Sequence, residues 1–517
     1  MQLPTNSVEE MDTVNDHTTN THTSRNLLVV SNRLPIVLSR DDRGNWRARA
    51  GSGGLVTALL PVLRNRGGVW IGWPGTDSDD PEVGIAAAQA GEEAGYRMVT
   101  VGLSAQEVRE FYLGFANRVI WPLFHDLQSL CDFDPLFWRT YREVNRRYAQ
   151  TVAAHANSSD FVWVHDYQLM HVASELRPLL PDVRVAFFLH IPFPPLDVFV
   201  KLPWRMALLH ALLQYDLIGF QTQRDRRNFN ECLRALLPDV ALTGRGPVTD
   251  ARVGERVVRV ASFPISIDYN WFVRRAASAE VAQRVRELHQ LLPDRKLVLG
   301  VDRLDYTKGI PHRLKAFRNA LARFPELCGR LSLIQVVVPS REDIDTYQSL
   351  KLEIEQLVSE INGEYSKPGG WVPVWYVYGS LSSVDLLAYY RAAHIALVTP
   401  LKDGMNLVAK EYCACSIEED CVLILSEFAG SAAQLHRGAL LVNPYDIEGV
   451  ADALRRAWEM PREECAARMR RMRRSIRQHD VYWWLDTFLA TAFAHELRGV
   501  PPLPPDSAQP EPDYLPF

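Results

Sequence analysis

The sequence has little of what marks several large classes of protein. Its 517 residues include only seven cysteines, and none falls in a CxxC pair. Cys413 and Cys415 are too close for an ordinary bridge along one helix, and no second pair matches them. All seven (Cys131, Cys232, Cys328, Cys413, Cys415, Cys421 and Cys465) therefore read as reduced packing residues of a cytoplasmic protein. No run approaches the roughly 18 uninterrupted apolar residues of a membrane-spanning helix. There is no HExxH, no DxD at a strand end and no Cys/His ligand set, so no metal site is expected. A GxGxxG fingerprint is also missing, which weighs against a nicotinamide dehydrogenase. The formal net charge of -5 leaves no electrostatic footprint for nucleic acid or an anionic membrane.

What is present is enough for large cores, with 47% hydrophobic and 23% charged residues. Residues 1–25 are polar and without an apolar signal core, and residues 499–517 are rich in proline and acid, so both read as tails. Between them, short continuous apolar runs alternate with helical patterns. Runs at residues 26–31, 69–72, 161–164 and 185–189 read as strands buried on both faces, with helices at 137–155 and 169–179. The pattern restarts at residue 296, with strands at 296–301, 331–338, 374–377, 395–398, 421–426 and 439–442. This predicts an α/β protein of two doubly wound, Rossmann-like domains, residues 26–265 and 266–480, facing a central cleft. A final aromatic helix from residue 481, within residues 481–498, is expected to pack back on the first domain.

Residues 396–412, ALVTPLKDGMNLVAKEY, are the centre of the reading. An apolar strand breaks at Thr399 and Pro400, passes through a polar turn (Lys402, Asp403, Gly404, Met405, Asn406) and re-emerges as a helix from Leu407. Unpaired N–H groups at such a helix start suit a phosphate. Glu411, one turn further on the same face, can reach a sugar diol. In VDRLDYTKG, residues 301–309, another strand ends and presents Arg303 and Lys308, the two cations that a departing diphosphate needs. The alternative is that both are tied to Asp302 and Asp305 in a structural ion network. Asp166 and His190 follow two successive strands, where a carboxylate orients a hydroxyl and a histidine offers its ring or its carbonyl. Arg33, Arg341, Tyr112 and Trp121 combine two guanidinium groups with aromatic walls, a mixture suited to a sugar phosphate.

Taken in order, SNRLP (31–35), GSGGL (51–55), GWPG (72–75), WPLFH (121–125), VHDYQLM (164–170), LHIPFP (189–194), GFQT (219–222), VDRLDYTKG and DGMNLVAKEY (403–412) resemble the trehalose-6-phosphate synthase family. The resemblance implies a GT-B fold and a retaining transfer of glucose from a nucleotide-glucose to glucose 6-phosphate, with no metal or cofactor. It implies that Gly53 and Gly54 approach the donor diphosphate and that Arg303 and Lys308 bind it. The run from Asp403 through Gly404, Met405 and Asn406 would meet the donor glucose. Leu407, Val408 and Glu411 would hold the nucleoside, with Ala409 and Lys410 in the same motif and Leu381 near the base. The acceptor would meet Arg33, Trp73, Tyr112, Trp121, Asp166 and Arg341, with Trp121 and His190 bearing on anomeric selectivity. The catalytic set would be Asp166, His190, Arg303 and Lys308, acting by front-face return in which the leaving phosphate oxygen takes the proton of the incoming hydroxyl. No glycosidase-like carboxylate pair is then required.

Two positions depart from the family pattern. Gln168 stands where histidine is usual, and Asp126 where tyrosine is usual; the second adds negative charge near the acceptor pocket. The other readings are therefore a glucosylglycerol-phosphate synthase, a pseudo-glycosyltransferase, or a sugar-phosphate-sensing protein without turnover. Oligomeric state is open, a homo-oligomer included. The chain shows no DxDxT phosphatase motif, so the product is expected to keep its phosphate.

Overall fold

A computed structural model of the chain describes residues 26–493, apart from residues 42, 51–55, 57–58, 60–62, 64–67, 77–79, 245, 342–343 and 368–369. The GSGGL motif, and with it Gly53 and Gly54, lies outside the described residues. The first sheet contains β1 (Leu27–Arg33), β4 (Val69–Trp73), β5 (Arg97–Thr100), β6 (Phe161–His165), β7 (Arg184–Phe188), β8 (Leu217–Phe220), β9 (Ala241–Thr243), β10 (Val248–Val253) and β11 (Arg256–Ser262). A separate hairpin pairs β2 (Ile36–Arg40) with β3 (Trp46–Ala50). The second sheet contains β12 (Lys296–Arg303), β13 (Leu331–Val338), β14 (Val374–Tyr378), β15 (Ile395–Val398), β16 (Val422–Ser426) and β17 (Leu440–Val442).

Strand order explains where the cleft falls. The second sheet runs β14-β13-β12-β15-β16-β17 and is parallel throughout. The order reverses between β12 and β15, so their carboxyl ends open a crevice where successive connections leave to opposite faces. The first sheet runs β5-β4-β1-β6-β7-β8-β11-β10-β9, and its reversal lies between β1 and β6. Arg33 closes β1 and Asp166 follows β6. Arg303 closes β12, and the polar turn after Thr399 follows β15. The four strand ends therefore supply the candidate chemistry from two switch points.

Both lobes are three-layered for the reason read from the sequence. Val162 and Val164 enter one apolar cluster while Trp163 between them enters another, and Leu297 and Leu299 face away from Val298 in the second sheet. Strands with no polar face must be covered on both sides. The expectation of wholly parallel sheets needs correction at one edge. There β9 and β10 run antiparallel beside β11, and β10 alternates buried and less buried residues, as a strand with one wetter face does. The helix expected at 169–179 is also shorter, Val172–Leu176. Pro178 cannot continue it, and its approach is held instead by Tyr141 and Asn145, which accept from the Met170 and His171 amides.

The helix Val481–Phe493 lies across the lobe built on the first sheet (the front lobe; that of the second sheet is the rear lobe). Phe488 stacks on Trp163 with ring centroids 4.1 Å apart, and Trp484 stacks on the same ring at 5.2 Å. Gly219 permits the approach, because a Cβ there would meet Phe488 at 2.9 Å and Phe188 at 2.6 Å. No helix among the described residues is long and apolar enough to cross a membrane.

Candidate active site

On the rear lobe, Asp305 caps a short turn, Tyr306–Lys308, that continues through Gly309 into the helix Ile310–Arg323. Gly309 adopts φ 64, and a Cβ there would sit 2.6 Å from the Thr399 carbonyl. Only glycine lets the turn after β12 press this closely on the segment after β15. Leu401 N–H donates to the Thr307 carbonyl at 2.8 Å, and the Lys308 ammonium donates to Asp403 Oδ2 at 2.5 Å. Burial pushes the Asp403 carboxyl up, but Lys308, with the Met405 amide and His125, holds the group below its ordinary value.

The polar turn is internally braced. Met405 N–H and the Asn406 amide both donate to Asp403, and Asn406, at φ 59, accepts from Ala409 N–H to cap the helix Leu407–Cys415. The cap uses the third amide and leaves those of Leu407 and Val408 at the open helix start. Glu411 accepts from the Tyr390 hydroxyl at 2.8 Å; burial raises its carboxyl. Leu381, Leu407 and Val408 pack on the rear-lobe core around Ala409 and Tyr412. Two members of the donor motif point elsewhere: Ala409 is fully buried, and the Lys410 ammonium, 2% exposed, donates to the Ile265 carbonyl at 2.7 Å. Burial lowers Lys410 to about 7.

The ion network considered as an alternative does not form. Asp302 pairs with the buried Arg313, whose guanidinium also reaches Thr399, Gln335 and the Lys308 carbonyl. Asp305 pairs with Arg341 at 3.2 Å. Arg303 is exposed and has no hydrogen bond or ion pair among the described residues, yet its charge acts on both Asp166 and Asp305. It is a cation held at the gap with no partner among the described residues.

Across the gap, Asp166 has φ 75 and ψ 168, a region that non-glycine residues avoid. Its backbone is held there by the Phe188 carbonyl, which accepts from its N–H at 2.8 Å, and by the His190 N–H, which donates to its carboxylate at 3.1 Å. Burial raises Asp166 to about 6. The His190 ring is turned inward, between His165 at 3.1 Å and Gln221 at 3.3 Å, and burial lowers it to about 3. Of the two possibilities for His190, the carbonyl is the part that faces the rear lobe: a Cβ on Gly404 would lie 2.7 Å from it.

The acceptor candidates fall into two groups. Arg33 lies over Trp73 at 4.5 Å and is 6.0 Å from the ring centroid of Tyr112; a Cβ on Gly75 would meet its guanidinium at 2.7 Å. Arg341 lies over Trp121 at 4.3 Å and donates to the hydroxyls of Tyr347 and Tyr167, at 2.6 and 3.3 Å. Its electrostatic partners include Tyr112, which relates the two groups. The segment carrying Tyr112, Val108–Ile120, is wound as a π-helix and hands over to Trp121 through a bond from Trp121 N–H to the Ala116 carbonyl. The Asp126 carboxylate, a departure noted in the sequence, ion-pairs with Lys402 of the rear lobe.

Sequence reasoning missed Asp305 as a link between groups, and missed Tyr167, Tyr347 and Tyr390 as partners. Tyr167 adjoins Asp166, a signal that could have found it. Tyr390 precedes Glu411 by 21 residues on another helix, and nothing in spacing announces the pair. A cavity of about 320 Å³ also opens between the lobes, lined by Pro192, Gln221, Ile265, Lys402, Gly404 and Ser431 among others. Arg303, Lys308 and Asp166 do not line it, but Asp403, Gly404 and Met405 of the polar turn do, so it adjoins the charged gap.

The chain matches the model of glycosyltransferase family 20 over residues 25–493. It is 44% identical over 476 residues to the trehalose-6-phosphate synthase of Mycolicibacterium vanbaalenii, covering 89% of this chain and 94% of that one. Among solved structures, it is similar to a Burkholderia xenovorans α,α-trehalose-phosphate synthase (UDP-forming) in complex with glucose-6-phosphate, with a TM-score of 0.80, 34% identity, and coverage of 90% of this chain and 99% of that one. It is equally similar to an E. coli protein bound with UDP-2-fluoro glucose, with a TM-score of 0.80, 34% identity and coverage of 90% and 98%. With its two facing lobes and a charged gap between their switch points, the chain belongs to glycosyltransferase family 20 and has the GT-B fold.

Proposed function

We propose that the protein is an α,α-trehalose-phosphate synthase: it moves glucose from UDP-glucose to glucose 6-phosphate with retention, giving α,α-trehalose 6-phosphate and UDP. The observation that carries this reading is the placement of Arg303, unpaired among the described residues, opposite Asp166 and next to the Lys308–Asp403 turn. Departure of the nucleotide develops negative charge on its phosphoryl oxygens, and Arg303, Lys308 and the open helix amides of Leu407 and Val408 are placed to stabilise it. Asp166 orients the acceptor hydroxyl, while Arg341 and Arg33 take the acceptor phosphate against Trp121, Trp73 and Tyr112. The leaving phosphate oxygen receives the hydroxyl proton on the same face, so the anomeric configuration is kept. The relative bound to glucose-6-phosphate and the one bound to UDP-2-fluoro glucose support the two substrate classes.

The test is a panel of UDP-, ADP- and GDP-glucose against glucose 6-phosphate and glycerol 3-phosphate, with product configuration read by NMR. Nucleoside diphosphate release that requires glucose 6-phosphate, with an α,α-linked product, supports the proposal. Turnover with glycerol 3-phosphate alone makes the chain a glucosylglycerol-phosphate synthase. Binding of both ligands with no product makes it a sensor.

A further inference from the structure

Asp305 is 1% exposed and divides its two carboxylate oxygens between different parts of the site. Oδ1 accepts from the Thr307 amide at 3.0 Å and from its hydroxyl at 2.9 Å, and so shapes the turn that carries Lys308. The same oxygen accepts from Trp121 Nε1 of the front lobe at 3.4 Å. Oδ2 accepts from Arg341 at 3.2 Å and from the Tyr347 hydroxyl at 3.5 Å. Beyond the turn, the Thr307 carbonyl holds Leu401, two residues before the Asp403 that pairs with Lys308. Burial pushes the Asp305 carboxyl up, but Arg341, Arg303 and Lys308 together hold it below its ordinary value, so the hub is charged.

We propose that Asp305 is a positioning residue that couples the two substrate subsites, so that occupation of the Lys308 turn by a nucleoside diphosphate strengthens sugar-phosphate binding at Arg341, and the reverse. The coupling has a physical route. The Trp121–Asp305 and Arg341–Tyr167 contacts exist only when the lobes are together, and the ligand that first holds them there leaves less to be ordered by the second. Reciprocity is then required by linkage. An ordinary structural carboxylate would support folding and both affinities without making either depend on the other.

The inference rests on the proposed substrates, and the test separates the two. Isothermal titration calorimetry measures UDP and glucose 6-phosphate, each alone and with the other saturating. In the wild type, each is expected to tighten the other by on the order of fivefold or more. Asp305→Asn keeps the shape and removes the charge, and is expected to bring that ratio close to one. Thr307→Val removes one hydroxyl from the donor half; it is expected to lower the ratio while leaving glucose 6-phosphate binding alone unchanged, and it decides the matter should Asp305→Asn fail to fold. Wild-type coupling that survives in Thr307→Val, or in a folded Asp305→Asn, overturns the inference, as does a wild type that binds both ligands independently. A wild type that binds neither overturns the substrate assignment and the inference with it.

Discussion

At the scale of single residues, Asp166 and Arg303 face each other with opposite problems. Asp166 occupies a backbone region that non-glycine residues enter only when their surroundings force them, and burial raises its carboxyl from 3.8 to about 6. A group whose folded value lies above its unfolded value binds the extra proton in the folded state, so its ionisation withdraws stability as pH rises from about 4 to about 6. Asp166→Asn is therefore expected to raise the thermal midpoint at pH 7 relative to wild type, with the gain shrinking as the pH falls from about 6 to about 4, while activity falls by on the order of 10² or more. In the wild type, kcat/KM for the acceptor should drop with unit slope below about pH 6; a flat profile would remove the carboxylate from the mechanism. Arg303 has no hydrogen bond or ion pair among the described residues to lose. Arg303→Ala should cut turnover by on the order of 10² to 10³ and shift stability by less than about 0.5 kcal/mol in urea unfolding. Both residues were legible in the sequence because each ends an apolar run. The inward turn of the His190 ring was not, since it depends on His165 and Gln221 from two other segments.

At the scale of elements, periodicity located most of the buried strands to within a residue or two, because a strand covered on both faces is an uninterrupted apolar run wherever it occurs. Strands β8 to β11 escaped that reading: β8 and β9 have only four and three residues, and β10 and β11 are only partly buried, β10 alternating. The π-helix at Val108–Ile120 escaped as well, since its i→i+5 bonding leaves no compositional mark. The helix Val481–Phe493 is where an element's energy is concentrated in few contacts. Trp484→Ala removes a fully buried ring stacked on Trp163 and should cost about 3–5 kcal/mol. Urea denaturation would read it as a lower midpoint at unchanged slope, and a loss under about 1 kcal/mol would mean that the cavity collapses or the helix is loosely held.

At the scale of the whole molecule, the contacts that cross between the lobes around the gap include, among the described residues, Trp121 to Asp305 and to Arg341, Tyr167 to Arg341, Asp126 to Lys402, and Gly404 against the His190 carbonyl. The last is the least forgiving, because a methyl group at Gly404 would meet backbone at 2.7 Å. Gly404→Ala should hold the lobes apart and lower kcat by on the order of 10², with circular dichroism and melting close to wild type. Asp126 is different: its carboxylate is 42% exposed and engaged by Lys402, so its charge is directed to the rear lobe rather than to the acceptor. An exposed pair is worth at most about 1 kcal/mol. Asp126→Asn should change either KM by less than about fivefold and leave the preference between glucose 6-phosphate and glycerol 3-phosphate unaltered in a competition assay. By itself the sequence determined two Rossmann-like lobes and the strand ends at which charge appears, because apolar runs and the breaks that end them are local properties of the chain. Only the tertiary structure decided that Arg303 stands unpaired among the described residues, that His190 offers its carbonyl, and that Asp305 ties the acceptor arginine to the donor turn. Those outcomes depend on groups tens to hundreds of residues apart reaching or missing hydrogen-bond distance, and no local pattern encodes that.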